Sequence, residues 1–149
     1  MDDPYGLERF VAAQDAHGTY ERAVKELRAG MKLGHWMWFV FPQIAGLGFS
    51  AMSQRYAIGS LDEARAYVAH PVLGPRLVEC ARILTATEDL TATDIFGGID
   101  AMKLRSSMTL FARAADPADA HFRTVLKNYF AGAPDEATER LLNAETGPA

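Results

Sequence analysis

The chain has 149 residues, 49% of them hydrophobic and 23% charged, with a formal net charge of −4. That length suits one domain with one core, residues 1–149, and the balance excludes a disordered or low-complexity chain. An acidic protein has no global pull toward nucleic acid or anionic membrane, a lone cysteine excludes an internal disulfide, and no apolar run approaches the ~18 residues of a bilayer span.

The opening MDDPYGLERF is acidic and lacks the basic and apolar regions of a secretory signal, so a cytoplasmic protein is expected. Residues 1–5 and 146–149 are expected to fray. Helical periodicity dominates from there on and predicts an all-α fold, compact and multihelical with buried central helices. The first helix is expected over about Gly6 to Ala16, with Leu7, Phe10 and Val11 on its apolar stripe. Thr19 is the expected cap of a second helix running to Gly30. After the aromatic run that begins at His35, the stretch FPQIAGLG, positions 41–48, reads as irregular chain around Pro42, Gly46 and Gly48. Ser50 then caps a helix to Ile58. Ser60 and Glu63 form the spacing of a capping box for the next, which ends at His70 and Pro71. A helix from Val72 to Ala86 follows, with Pro75 a candidate kink. TATDIFGG gives at most a short helical turn closed by Gly97 and Gly98. The helix from Ile99 to Ala115 carries Ala101, Leu104, Met108 and Phe111 on one stripe and Met102 and Leu110 off it, the pattern of a central helix. Asp116 and Pro117 open a helix to Phe130, and Asp135 opens a last one ending near Glu145.

Several segments, in order, carry a resemblance: HWMWFVFPQIAGLG, YAIGSLDEARAYVAHPVLGPRL, IFGGID and KLRSSMTLF. Together they resemble a bacterial and fungal family of proteins without assigned activity, with a mycobacterial member of similar length. Its members sometimes carry the label calpastatin. That label fits poorly, because calpastatin is a disordered eukaryotic inhibitor and this composition is that of a folded domain. The resemblance covers almost the whole chain. It implies a compact multihelical domain and no particular chemistry.

Candidate chemistry gathers in two places. Asp100, Lys103 and Ser107 fall on one strip of a helix with Ser106 beside them. They form either an internal ion pair with serines bonding back to helix carbonyls, or the polar floor of a site in which Lys103 meets an anion and Ser106 and Ser107 donate to it. In the aromatic run, Trp36 and Trp38 serve as core or as a wall on which a base or sugar stacks while Gln43 bonds its edge. His35 is the candidate acid or base, with Asp100 as its alternative. Ser50 closes AGLGFS, a weak likeness to an anion-cradling turn that is neither a Walker loop nor GxGxxG.

His17, His35, His70 and His121 show no metal-ligand spacing, so neither metal nor cofactor is expected. No GxSxG elbow is present. Lys25, Arg28 and Lys32 form a modest basic stripe, read as solvated charge rather than a nucleic-acid surface. The sequence therefore points to binding, with turnover left open, of a small anionic metabolite of nucleotide or sugar-phosphate type, in a cleft between the HWMWF segment and the DxxKxxSS helix. The alternative is a protein-interaction module anchored by exposed aromatics.

Overall fold

The computed structural model describes residues 3–146, so the first two residues and residues 147–149 of the expected frayed tail lie outside it. The fold is all-α. Helices α1 (Glu8–Asp15), α2 (Thr19–Ala29), α3 (Met37–Val40), α4 (Ala51–Arg55) and α5 (Leu61–Ala69) precede α6 (Leu73–Ala86), α7 (Ala92–Ala114), α8 (His121–Phe130) and α9 (Glu136–Thr146). Helix α7 is central, packing against α3, α5, α8 and α9. Ser106 to Phe111 are buried without interruption, as expected of a helix apolar on more than one side. Its first half differs: Ile99 and Met102 face outward, 76% and 69% exposed.

Most helix ends follow local chemistry. Gly30 adopts φ 75° and closes α2 in a Schellman arrangement, its N–H and that of Met31 both reaching the Glu26 carbonyl. Ser50 accepts from the Ser53 N–H at 3.1 Å, and Asp135 accepts from the Thr138 N–H at 3.0 Å. Ser60 accepts from the Glu63 N–H, whereas the Glu63 carboxylate returns to the Gly59 N–H instead of that of Ser60. Pro75 sits in the first turn of α6, where a missing N–H costs nothing, and no kink results.

Several helix boundaries differ from expectation. Thr19 is already helical and donates to the Ala16 carbonyl, because a 3-10 turn over Ala16–Gly18 delivers the chain to α2. The aromatic run closes a short helical turn over Met37–Val40 before the irregular stretch begins. Helix α4 stops at Arg55 because Ile58 pairs with Ile44, its N–H donating to the Gln43 carbonyl and its carbonyl accepting from Ala45. Helix α8 starts at His121, Asp116 being spent on a turn in which it accepts from the Ala118 N–H.

At Thr91 a full capping box with Asp94 starts α7 earlier than expected, and the break falls at Gly97, with φ 78° and ψ 166°. The break frees the Ile95 carbonyl, which accepts from the Lys32 N–H at 2.8 Å. Two polar groups then place the aromatic turn, one buried and one half-buried. Gln14, 1% exposed, donates to the Phe39 carbonyl and the Tyr67 hydroxyl while accepting from Arg76, which joins α1, α3, α5 and α6. Glu26 receives the N–H groups of Leu33 and Gly34 and the Trp36 indole N–H, all on one carboxylate oxygen at 2.7 to 2.9 Å.

Burial raises the Glu26 pKa, but the donors from Gly34, Leu33 and Trp36, with the Lys32 charge, outweigh it and hold the group below the ordinary glutamate value. A carboxylate so depressed lends stability that is complete above its unfolded pKa and is lost as pH falls through the folded one. Glu26→Gln is therefore expected to lower stability at neutral pH and to flatten the acid limb below about pH 4.5. Urea midpoints measured across that range check it, and a variant curve parallel to wild type would refute it.

Candidate functional site

A cleft of about 440 Å³ opens between the segment after α3, the end of α4 and the first half of α7. Its walls are mostly apolar, with Trp38, Ile44 and Leu47 facing Ile99 and Met102 across it. Lys103 is the one charged residue lining it among the described residues. The lysine Nζ stands 3.9 Å from the centre of the Trp38 ring and 3.3 Å from Asp100 Oδ1. The two sequence motifs expected to meet do meet, through this contact.

Asp100 accepts a second cation, Lys32, whose Nζ lies 2.8 Å from its other oxygen and is only 7% exposed along its side chain. The same ammonium donates to the Gly34 carbonyl and lies over the Trp36 ring. Burial raises the Asp100 pKa, yet Lys32 and then Lys103 pull it below the ordinary aspartate value. Held ionised between two ammoniums, Asp100 is a poor proton acceptor near neutrality. Two carboxamide or hydroxyl groups in the cleft are uncommitted. Neither the Gln43 side chain nor the Tyr56 hydroxyl makes a hydrogen bond among the described residues, although Tyr56 is only 7% exposed.

Sequence-predicted residues divide accordingly. Trp38, Gln43 and Lys103 line the cleft, and Asp100 touches Lys103 from behind it. Trp36 is core, 2% exposed. His35 is exposed and borders a separate groove with Thr19, Arg22 and Glu26. Ser50 is an exposed helix cap, while its neighbour Ser53 reaches the cleft. Ser106 donates to the Met102 carbonyl, and Ser107 is fully buried with an unpartnered hydroxyl; neither lines the cleft. Cys80 is buried, and burial pushes its thiol pKa up, which disfavours the thiolate.

Sequence reasoning missed Ile99 as a cleft wall and Lys32 as the partner of Asp100. The signal for the first was an apolar residue off the buried stripe of its helix, beside Met102. Lys32 was read on the stripe of α2, but the helix ends at Ala29 and frees it to turn inward. Among the described residues no group of three His, Cys, Asp or Glu side chains could hold a metal ion, and no helix is long and apolar enough to cross a membrane.

Fold and cleft together define an all-helical protein with a concavity walled largely by aromatic and aliphatic side chains. The chain belongs to a family described as protein of unknown function (DUF1810), matched over residues 4–142. It is similar to the conserved hypothetical protein Rv1873 from Mycobacterium tuberculosis, known from a crystal structure, with 51% identity and a TM-score of 0.90. The match covers 94% of this chain and 98% of that one. No curated protein matches the chain.

Proposed function

We propose that the cleft binds a small molecule bearing an anionic group, with the anion on Lys103 and the rest of the ligand against the apolar walls. The observation that carries this is the seat of Lys103: a lone charge on an otherwise uncharged cleft, fixed by Asp100 and the Trp38 face. Ligand sites have this composition, an apolar enclosure with few polar groups that set orientation. The reading is binding without turnover. His35 lies outside the cleft, and Asp100 is occupied by two lysines. Nucleotides, sugar phosphates and carboxylates all carry an anionic group.

Thermal denaturation against a panel of these three classes tests the reading. A ligand at a hundred times its Kd adds ~2.7 kcal/mol, which raises Tm by roughly 5 to 10 °C for a chain of this length. The shift is expected in wild type and cut to about half or less in Lys103→Met, as a tenfold or greater loss of affinity requires. Equal shifts in both would remove Lys103 from the site.

One observation favours a protein partner instead. Trp36 is too buried to anchor one, but Phe49, next to Gly48 of the cleft wall, is 87% exposed. Under that reading Phe49→Ser would abolish the interaction and leave small-molecule binding intact.

A further inference from the structure

The charges and donors around the cleft narrow the ligand further. Lys103 has three donors, of which one is spent on Asp100 and one side of the ammonium lies against Trp38. It retains capacity for one ligand oxygen. Behind it, Lys32, Asp100 and Lys103 sum to a single positive charge, and exposed Arg55 is drawn over the Tyr56 ring, 5.3 Å from its centre, without lining the cleft. A phosphate dianion or polyphosphate entering this apolar enclosure would carry at least one charge with no counter-ion, at a heavy desolvation cost. A carboxylate would not. Its single charge matches Lys103, and its remaining lone pairs match the two uncommitted groups in the same cleft, the Gln43 amide and the Tyr56 hydroxyl.

The size agrees. A volume of about 440 Å³ lies toward the small end of ligand sites and suits a ring system with a short acidic substituent. Ile44, Leu47, Ile99 and Met102 present hydrocarbon and thioether to it, surfaces that solvate a ring and offer nothing to the hydroxyls of a sugar.

We propose that the cleft is selective for monocarboxylates with an apolar, ring-sized body, Lys103 meeting the carboxylate and the Ile99 and Met102 wall covering the ring. This rests on the reading of the cleft as a binding site. It departs from the nucleotide or sugar-phosphate type expected from the sequence by placing carboxylates first.

Three probes that share a ring and differ in charge decide it: naphthoate, naphthamide and naphthyl phosphate, titrated calorimetrically into the whole protein at about pH 8, where the phosphate is a dianion. Naphthoate is expected to bind at least about tenfold more tightly than naphthamide, the size of a charged hydrogen bond. Naphthyl phosphate is expected to bind no more tightly than naphthoate. In Lys103→Met the acid should fall to the affinity of the amide, and the amide should bind as before. Equal binding of acid and amide by wild type would overturn the carboxylate selectivity and leave the cleft a neutral-ligand site. Tighter binding of the phosphate would overturn it in favour of polyanions. Failure of all three to bind would overturn both the selectivity and the reading of the cleft beneath it.

Discussion

Arg9→Met is expected to cost about 3 kcal/mol or more of stability, a large share of the ~5 to 15 kcal/mol typical of a domain. The Arg9 guanidinium donates to the carbonyls of Tyr5, Gly6, Arg55 and Ala57 and to the Glu63 carboxylate, at 2.6 to 3.0 Å. Glu63 is only 8% exposed along its side chain, so losing Arg9 leaves a buried carboxylate with the Gly59 N–H as its main compensation. Removal of one partner from a buried pair typically costs ~3 to 5 kcal/mol, and the quarter of Arg9 that remains in water places this case toward the lower figure. Arg9→Lys should rescue little, since one ammonium cannot replace a planar fork of five donors. Urea midpoints of the two variants measure it. A pairwise control is Arg9→Met with Glu63→Gln, which should recover part of the loss because no charge is then stranded. Because Tyr56 and Ala57 line the cleft, ligand affinity should fall with the first variant even at temperatures where the fold persists.

The second large effect is expected at Gly74. In most helices glycine to alanine is stabilising by up to ~1 kcal/mol, because alanine has less backbone freedom to lose. Gly74→Ala should do the reverse, by roughly 3 kcal/mol, or prevent folding. Helix α6 meets α5 at this residue so closely that a Cβ would fall inside the envelope of the Val68 carbonyl oxygen, and a backbone atom has no rotamer with which to yield. The contrasting site is Gly98, on the exposed side of α7, where a Cβ would meet nothing within 4 Å and φ is not in the left-handed region. There the same substitution should raise stability by about 0.5 to 1 kcal/mol. Calorimetric Tm values moving in opposite directions would establish both, and a stabilised Gly74→Ala would show that the two helices separate without penalty.

How far the sequence could be read follows from where each instruction resides. Ser50, Ser60 and Asp135 act within three residues of themselves, so their roles as caps were visible without any fold. Gly97 as a break was visible for the same reason. What stayed hidden depended on partners distant in the chain. Ser50 could start a helix, but only the pairing of Ile58 with Ile44 explains its end at Arg55. Trp36 and Trp38 are the same residue type two positions apart, and nothing local says which is buried. Glu26, on the preceding helix, draws the Trp36 indole inward, and Lys103, far along the chain, takes the face of Trp38. His35 opened the aromatic run and for that reason looked like its chemistry. The tight loop that Glu26 gathers at Leu33 and Gly34 leaves it outside, beside a different groove.

The grip of Lys32 on both sides of the Gly97 break bears on the order of events when the chain folds and comes apart. Its N–H holds the Ile95 carbonyl before the break and its ammonium holds Asp100 after it, contacts that close one of the longer loops in the molecule. Loop closure must be met entropically before such contacts are rewarded, so the helices with local caps form early and this junction late. Interactions absent from the transition state govern unfolding rather than folding. Strengthening or weakening the Lys32 junction should therefore change the lifetime of the native protein, while leaving the speed with which it is reached almost untouched.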